Sequence, residues 1–299
     1  MNKIENPYAE LTGGQWLKGN LHTHTTKSDG TRSHQAVIDD YAGRQYDFLM
    51  ISDHDVYTSN KNLSRYDARG MVLIPGNEIT ANGPHLLHVN AGRLIAPCPQ
   101  RQIVINEATG SDAESFVIAN HPNWGWPVTA MFDHTSPKQL EEWVGYTGLE
   151  IYNGTIGRLD GSPYATNKWD MLLSQGRRIW GYAHDDSHLP VADVELGWNM
   201  VYSRTKTLPG IIDALRHGRF YASTGVVISK IRVEGTMIRI ETENAERIVA
   251  LQEIGKRFAQ TDSTAIEVEI PPGAGYVRFE CWGKGERFAW TQPFFVSKQ

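Results

Sequence analysis

The sequence predicts an α/β fold followed by a smaller β domain. Short apolar runs alternate with stretches of helical spacing over about two hundred residues, which is typical of α/β proteins. Residues that can bind a metal follow several of these runs. The pattern then changes after Gly225, where apolar and polar residues alternate in short segments.

The apolar runs have the length expected of buried parallel strands. They are 48–51, 71–74, 86–89, 116–119 and 179–183. Several of the helical stretches begin with Ser or Pro, as helix N-termini do. We predict helices at His34–Gln45, Pro137–Val144, Tyr164–Gln175 and Pro209–His217.

Two arrangements fit this alternation, an α/β barrel and an open doubly wound sheet. A barrel brings the C-terminal ends of all its strands around one mouth. An open sheet would spread the candidate ligands along a crevice, so we favour the barrel. After it, strands at 228–233, 237–240, 266–270 and 276–281 predict an antiparallel β-sandwich, which gives domains 1–225 and 226–299.

The segment Asn20–Gly30 is the most informative part of the chain. In an extended segment residues i and i+2 face the same side, so His22 and His24 can enter one cavity. Asp29 can return to it from the turn that Gly30 permits. Two surface histidines would give the same pattern, but further candidates recur at the ends of later runs. These are His54, Glu78, His121, His184, Asp186 and His188, with His88 inside its run.

This ordered set resembles the polymerase and histidinol phosphatase (PHP) superfamily over residues 16–225. Within it, segments 18–24, 185–188 and 214–225 are most similar to the branch that includes carbaryl-hydrolase-like metalloproteins. The resemblance implies a distorted (β/α)7 TIM-like barrel with two or three divalent metal ions, Zn, Mn or Fe. It places the metal ligands on His22, His24, Asp29, His54, Glu78, His88, His121, Asp186 and His188.

The resemblance also suggests a mechanism, hydrolysis of a phosphate ester by a hydroxide that bridges two metals. Glu78 is the expected bridging carboxylate, and His184 or His85 is the expected proton donor to the leaving group. Two alternatives stay open. One is hydrolysis of a carbamate or carboxylic ester at the same site, and the other is a catalytically silent module that metals stabilise.

Several neighbouring residues have secondary candidate roles. Asp53 is expected to orient an imidazole rather than to bind metal. Trp124 and Trp126 are candidates for the wall of a substrate pocket. Loop residues Lys27, Asn153 and Arg158 are candidates for contact with an anionic group, whereas His34, His134 and His217 are expected to be structural or exposed.

Composition narrows the partners. The chain has 299 residues and a formal net charge of −5, which gives no reason to expect nucleic acid or an anionic membrane as the main partner. No apolar run approaches a membrane span, and the first residues lack the regions of a signal peptide. Cys98 and Cys281 are expected to be free thiols. We therefore expect a cytoplasmic enzyme with a small-molecule substrate, and the oligomeric state is left open.

Overall fold

A computed structural model describes residues 2–9, 11–125 and 133–298. The strands are β1 (Asn2–Glu5), β2 (Gln15–Asn20), β3 (Phe48–Met50), β4 (Val72–Ile74), β5 (Gly76–Ile79), β6 (Leu86–Val89), β7 (Phe116–Ala119), β8 (Gly148–Asn153), β9 (Trp180–His184), β10 (Trp198–Ser203), β11 (Phe220–Ser223), β12 (Ile228–Glu234), β13 (Met237–Thr242), β14 (Ala245–Gln252), β15 (Lys256–Thr261), β16 (Ala265–Glu269), β17 (Tyr276–Gly283), β18 (Phe288–Thr291) and β19 (Phe294–Lys298).

The α-helices of the described residues are α1 (His34–Gly43), α2 (Asn60–Leu63), α3 (Arg101–Thr109), α4 (Pro137–Glu142), α5 (Thr166–Ser174) and α6 (Leu208–Arg216). A short 3₁₀ helix follows β8 at Thr155–Arg158. All four predicted helices are confirmed; three are shorter than predicted, and α6 has the predicted length but begins and ends one residue earlier. Ser33 caps α1, because its hydroxyl accepts a hydrogen bond from the Ala36 N–H.

The strands make a mixed α/β fold with two sheets in its first part. In one sheet β2, β3 and β4 are parallel neighbours. In the other, β7, β8 and β9 are parallel neighbours, but β6 runs antiparallel to both β5 and β7. The regular parallel repeat of the expected (β/α)7 barrel is therefore interrupted at β6.

The sheet that contains β9 also ends differently from a barrel. On the edge of β9 away from β8, two side-chain carboxamides take the place of a neighbouring strand. Gln292 Nε2 donates to the Gly181 carbonyl, and its Oε1 accepts from the Gly181 N–H, both at 2.8 Å. Asn199 pairs in the same way with Ala183, at 2.9 and 3.2 Å. These bonds satisfy a buried strand edge that no strand of the ladder covers.

The β region after Gly225 forms two antiparallel layers. One is β12–β13–β16, and the other continues from β14 and β17. Apolar side chains on their facing sides, such as Ile240 and Phe279, form one core. The predicted strands of this region are thus confirmed.

The hydrogen-bonded sheet does not stop at Gly225. Strand β11 pairs with β18, and β1 at the start of the chain pairs with β19 at its end. A buried ion pair between Arg278 on β17 and Asp170 on α5 adds a second connection. The division into 1–225 and 226–299 stays a prediction, and continuous backbone pairing crosses its boundary.

Among the described helices, none combines the length and apolar character needed to cross a bilayer.

We predict that Gln292→Leu lowers the free energy of unfolding by about 2–4 kcal/mol, because it leaves the buried N–H and carbonyl of Gly181 without partners. Equilibrium urea denaturation measures this. Gln15→Leu on the exposed surface is the control, with an expected change within about 0.5 kcal/mol. Equal changes in the two variants would show that the carboxamide does not stabilise β9.

Candidate metal centre

The two histidines that follow β2 meet at one buried point. His22 and His24 are both fully buried. Their Nε2 atoms lie 3.1 and 3.0 Å from the same carboxylate oxygen of Asp186, which follows β9. They also lie 3.3 and 3.5 Å from Glu78 Oε2 on β5. The i, i+2 spacing therefore does bring the two rings into one site.

Glu78 lies at the centre of the cluster. Its Oε2 is 2.8 Å from His54 Nδ1, and its Oε1 is 3.1 Å from His85 Nδ1 and 3.3 Å from His121 Nε2. Asn120 donates a hydrogen bond to the same Oε1 at 2.7 Å. One carboxylate thus contacts imidazoles on opposite sides, which is the geometry a bridging ligand requires.

Asp29 lies at the outer edge of the cluster, with its side chain 55% exposed. Its carboxylate is 3.4 Å from Nε2 of both His54 and His188. The turn that returns it is tight, because a Cβ on Gly30 would lie 2.6 Å from the His24 carbonyl. Only glycine fits that approach.

Two of these residues adopt unusual backbone conformations. His121 has a φ of 24° and Asp186 has a φ of 56°. Such values are uncommon for residues other than glycine, and they concentrate at functional sites. The His121 N–H is held by a hydrogen bond of 2.6 Å to Glu150 Oε2.

The structure does not bring His88 to the cluster. Its Nε2 contacts the Ser111 hydroxyl at 2.8 Å, and burial lowers the pKa of its ring to about 4. Successive residues of β6 face opposite sides of the sheet, so Leu87 and His88 cannot both face the same side. His85, which precedes the strand, contacts Glu78 instead. We therefore remove His88 from the candidate ligand set and add His85.

Sequence reasoning missed Glu150, which organises the inner side of the cluster. This fully buried side chain places Oε1 2.6 Å from His22 Nδ1 and 2.7 Å from His184 Nδ1. Its Oε2 accepts hydrogen bonds from the His121 N–H and from Asn153. The available signal was an acidic residue between Leu149 and Ile151 in an otherwise apolar run, where an unpaired carboxylate would be costly.

His134 also lies nearer the site than expected. Its Nε2 accepts a hydrogen bond of 2.9 Å from the His85 N–H, and its ring lies against those of His85 and His121. No spacing in the sequence links it to a strand end. Asp53 was expected to orient an imidazole, but its hydrogen bonds come from Thr25 and Ser28, so it fixes the turn after His24.

The donor atoms fit divalent metal ions. Within the cluster, several buried ring nitrogens and one carboxylate oxygen make no aligned hydrogen bond despite their close contacts, namely His22 Nε2, His54 Nδ1, His121 Nδ1, His184 Nε2 and Glu78 Oε2. Groups of three or four donors lie within 4.8 Å of one another, such as His24, Asp29, His54 and His188, or His22, Glu78 and His121. A mixed imidazole and carboxylate set suits Zn, Mn or Fe.

The electrostatics of the cluster keep its carboxylates ionised. Burial opposes ionisation of Glu78 and Asp186, but the surrounding imidazoles hold the pKa of both well below their usual range. Burial also disfavours a charged His22, yet Asp186 and Glu78 raise its pKa well above the ordinary value. Metal ligands must be deprotonated, so a cation bound there would replace the proton on such rings.

A cavity of about 440 Å³ opens onto the cluster. Its lining includes Asp29, His54, His85, His121, Asp186 and His188. Of the other candidates, Trp124 and Arg158 also line the cavity, whereas Lys27 and His184 do not. Asn153 instead donates hydrogen bonds to Glu150 and Asp186. Trp126 lies outside the described residues.

A solved structure of another protein shares the fold of this chain. No protein-family model and no curated protein matches the sequence. A two-domain protein from Bacteroides vulgatus, which contains a predicted PHP-like metal-dependent phosphoesterase, superposes with a TM-score of 0.57 at 18% identity. The match covers 97% of this chain and 98% of that one. The chain therefore shares the fold of this two-domain protein over nearly its whole length.

Two further solved structures match more weakly. A candidate metal-dependent phosphoesterase from Bifidobacterium adolescentis has a TM-score of 0.43 at 15% identity, and the match covers 57% of this chain and 87% of that one. An amidohydrolase from Chromobacterium violaceum, with bound sulfate and no metal, has a TM-score of 0.40 at 14% identity, with coverage of 59% and 89%.

We predict that His85→Ala removes bound metal and that His88→Ala does not, because only His85 reaches Glu78. Both variants are loaded with Mn or Zn, dialysed and measured by elemental analysis. If His88→Ala lost metal while His85→Ala kept it, the assignment from the structure would be reversed.

Glu150→Gln should weaken metal binding by about 10–100-fold while the fold is kept, because the amide is neutral and its NH2 group cannot accept the hydrogen bonds that the second oxygen receives from the His121 N–H and Asn153. A calorimetric titration of the protein with metal measures the change in affinity. Glu246→Gln on the exposed face of β14 is the matched control. Equal affinity in both variants would leave Glu150 without a part in orienting the ligands.

Proposed function

We propose that the chain is a metal-dependent hydrolase of the PHP superfamily that acts on phosphate esters of small molecules. The observation that carries the proposal is the fully buried Glu78 carboxylate, which contacts imidazoles from several strand ends. The fold shared with a two-domain protein that contains a PHP-like phosphoesterase supports it, as does the order of the motifs along the sequence.

The proposed ligands are His22, His24, Asp29, His54, Glu78, His85, His121, Asp186 and His188. Bound there, two or three divalent ions supply Lewis acidity, which generates a nucleophile from water near neutral pH and offsets charge on the scissile group. The two oxygens of Glu78 face different histidines, Oε2 toward His54 and Oε1 toward His85, so one carboxylate joins two groups of donors. Glu150 fixes the ring of His22 through Nδ1, which leaves Nε2 directed at Glu78 and Asp186.

The roles expected for His85 and His184 change with this geometry. Burial lowers the pKa of His85 despite the nearby Glu78, so its ring is neutral near pH 7, as a metal ligand must be. His184 is fully buried against Glu150 and does not line the cavity. We propose that it positions Glu150 instead of donating a proton to the leaving group.

Hydrolysis of a carbamate or carboxylic ester remains the second candidate. Its support is the apolar part of the cavity lining, formed by Ile156, Leu159 and Leu189. An apolar wall suits uncharged esters as well as phosphate esters. The third candidate, a silent metal-stabilised module, lacks support of this kind.

The test is Glu78→Gln in the metal-loaded protein. Turnover should fall by at least about 100-fold, since loss of a ligand should cost no less than loss of a residue that orients one. Metal content should fall in the same variant, because a neutral amide neither bridges nor balances two cations well.

The assay uses phosphomonoesters, phosphodiesters, carboxylic esters and carbamates with Mn, Zn or Fe. Phosphoester turnover with at least two metals per chain supports the proposal. Turnover of carbamates or carboxylic esters alone favours the second candidate. Full activity and metal content in Glu78→Gln would remove this residue from the centre of the site.

A further inference from the structure

Two kinds of side chain line the cavity. Candidate ligands such as Asp29, His54 and His188 share it with the apolar side chains of Ile156, Leu159 and Leu189. Leu159 is 50% exposed and Leu189 is 39% exposed, although both are large apolar side chains. Single exposed leucines are ordinary. Two of them, together with the buried Ile156, at one cavity that also reaches candidate metal ligands are typical of a binding site.

This apolar wall is built from two segments that are fastened together. Ile156 and Leu159 belong to the 3₁₀ helix after β8 and its end, and Leu189 follows His188. The buried Asp193 accepts hydrogen bonds from the His188 and Leu189 N–H groups, and its other oxygen pairs with Arg158.

A hydrogen bond connects the same wall to the backbone of a candidate ligand. Thr155 at the start of the 3₁₀ helix donates a hydrogen bond of 2.7 Å to the Asp186 carbonyl. The apolar side chains are therefore held at a fixed place relative to a candidate ligand. A substrate bound in this cavity next to the candidate ligands would lie close to these apolar side chains.

Charge narrows the chemistry of the occupant. Apart from histidines, Arg158 is the one cationic side chain among the described residues that line the cavity. Its guanidinium is already paired with the buried Asp193. Apart from histidines, the described lining residues thus include no cation whose charge is not already balanced by a buried carboxylate, which disfavours a second anionic group such as another phosphate or a carboxylate.

We propose that this wall is the leaving-group subsite, and that it selects esters whose alcohol portion is uncharged and apolar, an alkyl or aryl group. The inference rests on the proposed hydrolase function and adds the substrate class to it. Ile156, Leu159 and Leu189 bind the apolar group through burial of its surface, while the ester group lies toward Glu78 and Asp186. Sugar phosphates and nucleotides are disfavoured, because their polar groups would lose water without gaining partners.

The experiment compares ethyl, butyl and hexyl phosphate with the metal-loaded full-length protein. These esters share a primary alcohol leaving group, so they differ in apolar length and hardly in chemical reactivity. We expect KM to fall about fourfold for each added methylene that is buried, with kcat nearly constant. Glycerol phosphate, which has a polar alcohol of similar size to butyl, should have a KM close to that of the ethyl ester or higher.

Leu159→Asn tests the wall itself. It should raise KM for the hexyl ester about tenfold more than for the ethyl ester. Leu94→Asn is the matched control, because Leu94 is also 50% exposed and does not line the cavity. It should leave the dependence on chain length unchanged. Leu189→Asn repeats the test from the second segment of the wall.

A binding measurement separates this inference from the proposed reaction. Calorimetry with ethyl- and hexylphosphonate, which cannot be hydrolysed, should show tighter binding of the longer chain, and Leu159→Asn should reduce that difference. Chain-length-dependent binding without turnover of any phosphate ester would keep the subsite and overturn the phosphoesterase proposal. Turnover with equal KM across the series, or the same loss in Leu94→Asn, would overturn the subsite and keep the reaction.

Discussion

A fully buried carboxylate is stable only when positive charge or hydrogen-bond donors surround it, and Glu78 imposes this requirement on the rest of the site. One oxygen faces His54 and the other faces His85 and His121, with Asn120 as a further donor. These residues lie on or near β3, β5, β6 and β7, so the strands must end close together for the carboxylate to be satisfied. The fold and the site therefore share one electrostatic constraint.

The scaffold meets that constraint with a second buried carboxylate. Glu150 holds the rings of His22 and His184 and the backbone of His121, so it fixes both the direction and the tautomer of an inner imidazole. The left-handed backbone of His121 and of Asp186 shows that these positions are held by their surroundings against local preference. A site binds metal ions with one coordination geometry only when its ligands are placed rigidly in this way.

Local patterns in the sequence predicted most of the site, and its long-range contacts were the part missed. His22 and His24 were recognisable because an i, i+2 pair in extended chain shares a face whatever the remaining fold is. The resemblance placed a ligand on His88, but which of His85 and His88 faces the cluster depends on where β6 begins. Glu150 and His134 act through partners far away in the chain, so no spacing reveals them. Likewise, alternation predicted the α/β class but not the antiparallel direction of β6.

The β layers at the end of the chain have a closer relation to the site than their lack of candidate ligands suggests. Gln292 holds the free edge of β9 at Gly181, and β9 leads directly into Asp185, Asp186 and His188. A parallel strand with an unpaired buried edge would be costly and free to shift along its neighbour. Strands β1 and β11 also pair with strands of this region. Through Gln292, the last part of the sequence helps to fix the register of β9, which leads into two of the proposed ligands. The β region therefore contributes to the site through backbone placement, although the ligands proposed above all precede it.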